Sequence, residues 1–257
     1  MINISSLKND LIKGIYKSTR NGFSKEIVIE SYKMIKEALS NSNVKIKHVL
    51  LTQELYDKDK GKYNTDFYEK IIICPYHVIE KIAFSITPQE IIAIGEVNFE
   101  SFEINNDQNY LILENISDPG NLGNIIRTSV GFNVNKIFIS NNSTSLYNNK
   151  TIRSSMGALF KIKVNYFSSF SEIDKLLKSN NVISIASLVN EKSESIDDFK
   201  IEKNKSYALI LGNETNGVEL KTQKLVDKNI YIPISKNINS LNVNSAAAIL
   251  IYQLLKK

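Results

Sequence analysis

The sequence predicts an α/β protein, with a mostly parallel sheet covered on both faces in its second half and a smaller α/β unit before it. Three observations carry this reading. After residue 110 short apolar runs alternate strictly with helix-like segments, and strands separated by helices pair in parallel. The first of those runs, 110–113, reads Tyr-Leu-Ile-Leu, the kind of stretch that forms a buried strand. The closing segment, 242–255, holds Ala246, Ala247, Ala248, Ile249, Leu250 and Ile251 in succession, so a helix there is apolar nearly all round and should be buried.

Taken in order, residues 1–40 read as helices around one short strand. Leu7, Leu11, Ile12 and Ile15 recur at helical spacing, with Ser5 or Ser6 as the expected cap. Gly22 interrupts, and Ile27, Val28 and Ile29 form a strand. A second helix follows, with Met34, Ile35, Ala38 and Leu39 on one face. Lys8, Lys13, Lys17, Lys33 and Lys36 lie between these positions, as a solvated face or an RNA-contacting one. Strands are expected at 47–51, 71–74 and 91–94, a polar helix or loop at 54–68, and a short helix at 78–83. About 100 residues suffice for a core of their own. The polar run 103–109 is the expected boundary, dividing a domain of residues 1–103 from one of 109–257. Beyond it, strands are expected at 110–114, 136–140, 161–165, 182–187, 207–211 and 229–232. Helices are expected at 122–132, 149–158, 170–179, 218–227 and 242–255.

Composition excludes some classes and leaves others open. The 257 residues carry 32 Lys plus Arg against 27 Asp plus Glu, a formal charge of +5, which permits an anionic partner such as RNA without demanding one. The single cysteine, Cys74, rules out an intrachain disulfide and sits in the apolar run 71–74, where a buried small hydrophobe is expected rather than a nucleophile. With two histidines, His48 and His77, and no Cys/His cluster, no zinc site is expected. No apolar run approaches the ~20 residues that span a bilayer, and the first residues hold no signal-peptide core. A soluble, cytoplasmic protein is the expectation.

Three stretches hold the chemistry. In the first, DPGNLGNIIRT (118–128), Asp118 and Pro119 suit a helix start, and Gly120 and Gly123 sit where backbone N–H groups can receive an anion. The spacing matches neither GxGxxG nor GxxxxGK[ST], so the dinucleotide fingerprint and the P-loop both fail. An ordinary strand-to-helix turn remains the plain alternative. Arg127 is expected within the helix's first two turns, as a structural pair or aimed at a phosphate or hydroxyl. In the second, LILGNETNGVEL (209–220), Gly212 ends a strand where backbone or ligand can approach closely, and Glu214 is either a helix-start charge or a site group. In the third, YIPISKNINSLNVNSAAAIL (231–250), Ser240 is adequately explained as a helix N-cap.

With RSSMGALF (153–160), these stretches in this order resemble the SpoU/TrmH family of the SPOUT superfamily, RNA ribose 2′-O-methyltransferases that use S-adenosylmethionine. The resemblance extends over nearly the whole chain, since 1–100 looks like the family's ribosomal-protein-like, RNA substrate-binding domain. It implies a SPOUT-type parallel sheet whose C-terminal segment threads a deep trefoil knot, an exception to the usual absence of knots. It implies that Leu211, Gly212, Asn213, Ile232, Ile234 and Leu241 hold S-adenosylmethionine, largely through backbone groups. Asn121 and Arg127 would act on the ribose, with Glu214, Ser240 and Asn242 completing the site. The family builds that site across a homodimer interface, so Arg127 would serve cofactor bound mainly by the other subunit. The implied reaction is methylation of a ribose 2′-hydroxyl, in 23S-type ribosomal RNA, with transfer RNA or a non-catalytic ribosome-assembly role as alternatives. No metal is needed for it.

Two departures from the family pattern stand out. Phe132 is followed by Asn133 where the family usually has glycine, and Asn is among the residues that tolerate a left-handed helix end. Ser145-Leu146-Tyr147 stands where an acidic residue is common, which points to a different substrate contact there.

Overall fold

The computed structural model describes residues 1–21, 24–58, 68–213 and 215–255. Two compact units result, Met1–Phe99 with Tyr147–Phe160, and Glu100–Leu146 with Lys161–Lys257. The chain first passes between them at 99–100, a few residues before the polar run expected to divide it. Residues 147–160, expected in the second domain, group with the first unit instead.

The first unit holds a five-stranded sheet in the order β1 (Ile2–Asn3), β4 (Ile71–Ile73), β3 (Val44–Leu51), β5 (Ile91–Val97), β2 (Glu26–Glu30). Its described helices include α1 (Asp10–Arg20), α2 (Tyr32–Leu39), α3 (Gln53–Lys58) and α4 (Tyr76–Ile82). Most of the 54–68 stretch lies outside the described residues. α1 begins later than expected. Its cap is Asn9, which accepts from the Leu11 N–H, so neither Ser5 nor Ser6 caps it and Leu7 is exposed ahead of the helix. Leu39 is likewise exposed at the end of α2. Ile12, Ile15, Leu50, Ile72, Val78 and Ile92 close one core, in which Cys74 is buried as expected. Burial pushes the Cys74 thiol up to about 12, so no thiolate forms near neutral pH.

The second unit is a seven-stranded sheet, wholly parallel among its described pairs, in the order β10 (Glu194–Ser195), β12 (Lys228–Tyr231), β9 (Val182–Ser187), β11 (Ser206–Leu211), β6 (Tyr110–Leu113), β7 (Lys136–Ser140), β8 (Lys163–Phe167). Every residue of β6 and β11 is buried, as strands covered on both faces must be. The helices are α5 (Pro119–Gly131), α6 (Asn149–Ser155, in the first unit), α7 (Phe170–Ser179), α8 (Leu220–Gln223) and α9 (Val243–Leu250). A π-type turn, Ile251–Leu255, continues α9. β8 starts two residues later than expected because 158–161 closes into a 3-10 turn, and the helix expected over 218–227 shrinks to α8. The expectation that the last helix is wholly buried is corrected: Ile249 is 38% exposed and Tyr252 46%.

Candidate active site

The parallel sheet brings the predicted residues to the C-terminal ends of its strands, where open α/β sheets hold their ligands. At the end of β11, Gly212 has no room for a side chain. A Cβ there would lie 2.1 Å from the carbonyl carbon of Gly217 and 2.3 Å from the Val218 nitrogen. The close neighbour is backbone, because 213–217 folds back into a tight turn. The Asn213 N–H donates to the Gly217 carbonyl at 3.1 Å and the Gly217 N–H returns to Asn213 at 2.8 Å. Asn213 Oδ1 accepts from the Thr215 N–H, and its Nδ2 donates to the Asn115 carbonyl at 2.9 Å, tying the turn to the end of β6. Glu214 lies outside the described residues.

A cavity of about 520 Å³ opens beside the turn. Its wall includes Leu211, the last residue of β11, with Gly212 and Asn213 after it, Ile232 and Ile234 after β12, and Ser240 and Leu241 ahead of α9. All six residues expected to hold cofactor therefore border one space, and Ser240 joins them.

Among the described residues, Asn121, Arg127 and Asn242 stand outside that wall. Asp118 caps α5 by accepting from the Asn121 N–H at 2.8 Å, with Pro119 at the first helical position. Asn242, not Ser240, caps α9, accepting from the Asn244 N–H at 2.8 Å. The simple cap reading of Ser240 therefore falls. Asn244 then reaches across to α5, its Nδ2 donating to Asn121 Oδ1 at 2.6 Å. Arg127 sits in the third turn of α5 rather than the first two, exposed and without a hydrogen bond or ion pair to the described residues. It follows Asn121 by six positions, about 9 Å along the axis and about 120° around it. The two side chains therefore leave α5 in different directions.

Sequence reasoning missed a buried carboxylate. Glu114, immediately after β6, is 2% exposed. It accepts from Thr222 Oγ1 at 2.6 Å and from the Glu219 N–H at 3.0 Å. Burial pushes its carboxyl above the ordinary range, against the pull of those two bonds. Glu219 accepts from Asn115 Nδ2 at 2.8 Å, and that bond, with Lys221, holds its carboxyl below the ordinary range. A charged residue ending an apolar strand was the one signal for Glu114. Asn244 had none beyond its place two residues after Asn242.

The SpoU rRNA Methylase family matches residues 108–252, more than half of the chain. The chain belongs to that family. The SpoU match spans all the stretches singled out above and the whole cavity wall. Relatives extend the likeness upstream. The chain is 29% identical to the Bacillus subtilis (strain 168) "23S rRNA (guanosine(2553)-2'-O)-methyltransferase RlmP", over 99% of each protein. It is 24% identical to the "23S rRNA (guanosine-2'-O-)-methyltransferase RlmB" of Acinetobacter baylyi, over 81% of this chain and 83% of that one. The fold of this SpoU chain matches an "AdoMet bound rRNA methyltransferase from Sinorhizobium meliloti" with a TM-score of 0.85, at 22% identity, covering 98% of this chain and 96% of that one. The "SpoU Methyltransferase AviRb from Streptomyces viridochromogenes" aligns with a TM-score of 0.79, at 20% identity, over 95% and 97%.

Proposed function

We propose that this SpoU-family chain transfers a methyl group from S-adenosylmethionine to a ribose 2′-hydroxyl of 23S-type ribosomal RNA. The observation that carries the reading is the cavity beside the Gly212 turn. Residues from the second and third motifs border it together, within the region that matches the family. The relatives named for 23S rRNA 2′-O-methylation support the choice of RNA and of reacting hydroxyl.

The donor set suits a nucleoside-sized cofactor. About 520 Å³ falls in the range of small-molecule sites, and Leu211, Ile232, Ile234 and Leu241 offer apolar walls interleaved with backbone amides and carbonyls. When bound, S-adenosylmethionine supplies a methyl group already activated on a sulfonium sulfur. The residues around the cavity then have mainly to orient and exclude water, which is catalysis by proximity. Gly212 and its neighbours hold the backbone groups that grip the cofactor, while Ser240, Asn242 and Glu214 complete the site. Asn121 offers its amide to the substrate, and Arg127 stabilises charge developing on the 2′-oxygen or fixes the adjacent phosphate.

Arg127 does this from the partner subunit in a homodimer. Support comes from its exposure, and from the apolar rim that α9 leaves uncovered in one copy. Ile249 and Tyr252 are exposed there, and Tyr252 meets the Phe132 ring edge-on at 5.4 Å. The same reading includes the C-terminal knot. It is supported by the return of the chain's end to mid-sheet, where α9 packs on α5 and β11, and Asn109 Nδ2 donates to the Leu255 carbonyl at 3.0 Å. The first unit serves as the RNA substrate-binding domain, and the protein works in the cytoplasm.

The experiment is a labelling one. Methyl-labelled S-adenosylmethionine is incubated with the protein and either 23S rRNA or total tRNA, and the label is mapped to the nucleotide. Label on a 23S ribose is expected. Label on tRNA alone would replace the substrate, and no cofactor binding by calorimetry at millimolar concentration would sink the enzymatic reading.

A further inference from the structure

We propose that Glu114 and Asn115 are positioning residues for S-adenosylmethionine, acting through Asn213 and Glu219 on either side of Gly217 and Val218. The proposal rests on the reading of the 520 Å³ cavity as the cofactor site. Asn213, Gly217 and Val218 border that cavity, and neither Glu114 nor Asn115 does. Both stand directly after β6, where the Glu114 N–H donates to the Leu211 carbonyl at the end of β11, at 2.9 Å. From there they grip the chain that leaves β11 at two points. At Asn213, the side-chain Nδ2 donates to the Asn115 carbonyl at 2.9 Å. At Glu219, the backbone N–H donates to Glu114 Oε2 at 3.0 Å, and Oε1 accepts from Asn115 Nδ2 at 2.8 Å. Glu114 Oε1 extends the grip into α8, accepting from Thr222 Oγ1 at 2.6 Å, one residue before Gln223 of the cavity wall.

Each of the two residues is costly where it stands. Glu114 is 2% exposed and makes no ion pair among the described residues. A buried carboxyl costs stability that an apolar side chain of similar size would not. Asn115 takes φ 55°, a left-handed conformation that glycine adopts without strain. Closing the core at the end of β6 requires neither feature. What the costly choices supply is the pair of bonds to Glu219, which leucine at 114 and glycine at 115 would each give up. The benefit falls on binding. A cavity wall made largely of backbone recognises a ligand best when it is fixed beforehand, because any ordering left to the moment of binding is subtracted from affinity.

Calorimetric titration with S-adenosylmethionine, beside a thermal melt, of wild type, Glu114→Ala, Glu114→Gln and Asn115→Gly tests this. Glu114→Ala loses two hydrogen bonds and should weaken binding on the order of tenfold or more. Glu114→Gln should restore most of the loss. Its carbonyl can accept from the Glu219 N–H while its NH2 donates to the Thr222 hydroxyl, which accepts as well as donates. Asn115→Gly is the decisive variant, since it removes the side-chain bond to Glu219 and relieves the backbone together. Its affinity should fall several-fold with the melting temperature held within a few degrees, so it decides the matter even if Glu114→Ala does not fold. In methyl transfer, the KM for S-adenosylmethionine should rise in step with the lost affinity, with kcat at saturating cofactor near that of wild type. Wild-type affinity in Asn115→Gly would overturn the proposal, and so would a Glu114→Gln as weak as a folded Glu114→Ala. A wild-type protein that binds no S-adenosylmethionine would instead remove the reading of the cavity, and this proposal with it.

Discussion

Arg127 and Glu114 represent two opposite ways a charged residue can matter. The chain has three arginines, at 20, 127 and 153, among its 32 basic residues. Arg20 has an evident structural role. Its guanidinium donates to the Ile82 and Ala83 carbonyls at 2.9 and 3.0 Å and stacks on Tyr16 and Phe84. Arg127 has no such role among the described residues. Arg127→Ala should therefore leave the melting temperature unchanged while lowering methyl transfer about a hundredfold or more, the scale of losing one electrostatic stabiliser. A labelled-methyl assay beside a thermal melt separates the two effects. Glu114 is the reverse case, buried and internally bonded. Its folded carboxyl is raised above the ordinary 4.5, so the stability it contributes is fully present below that value and is lost as pH rises through the raised one. Glu114→Gln cannot ionise. Its melting temperature should gain on that of the wild type as pH rises from about 4.5, and parallel melts across pH would check the sign.

At the scale of elements, the end of α5 explains how this chain departs from its family without losing a helix terminus. Asn133 takes φ 64°, the left-handed conformation. The Val134 N–H donates to the Ser129 carbonyl at 2.8 Å and the Asn133 N–H to Val130 at 3.2 Å, the two bonds of a Schellman closure. Asn133→Gly should keep both bonds and raise stability by up to about 1 kcal/mol. Asn133→Val should lower it by about 1–2 kcal/mol, since a β-branched residue resists that conformation. Chemical denaturation of the two variants would read the difference. The α9 start has the same local logic, with Asn242 as cap and Ser240 released to the cavity wall.

At the scale of the whole molecule, what one copy leaves uncovered is as informative as what it buries. Ile249 and Tyr252 are exposed on a segment whose Val243, Ala247, Leu250 and Ile251 are buried, and exposed apolar side chains of this size mark a surface that a partner can cover. If the proposed homodimer forms through this rim, Tyr252→Glu should shift the protein toward monomer in light scattering and remove activity while cofactor binding persists. An active monomer would break the link between dimer and site. The segment 147–160 belongs to the same scale. Ile152 and Phe160 are wholly buried, and Tyr147 meets the Phe99 ring at 5.5 Å within the first unit. A cut at the polar run near residue 105 would therefore strip that segment of its core.

Periodicity, apolar runs and cap chemistry sufficed to locate the six main strands of the second unit, the Asp118–Pro119 start of α5 and a buried Cys74. These are decided by neighbours in sequence, through backbone geometry and local hydrogen bonds. The same local rules misjudged the caps at Ser5, Ser6 and Ser240, because several nearby polar side chains can each cap a helix and packing selects among them. The resemblance drew Leu211, Gly212, Asn213, Ile232, Ile234 and Leu241 into one group, and Ser240 into another. Their sharing of a single cavity wall depends on strand order, which brings β11 and β12 to either side of β9. The burial of Glu114 had only its place at the end of an apolar strand as a local signal, and the bond from Asn244 to Asn121 had none. Each joins groups more than 100 residues apart, and a hydrogen bond of that span exists only once the sheet has folded and brought its donor and acceptor together.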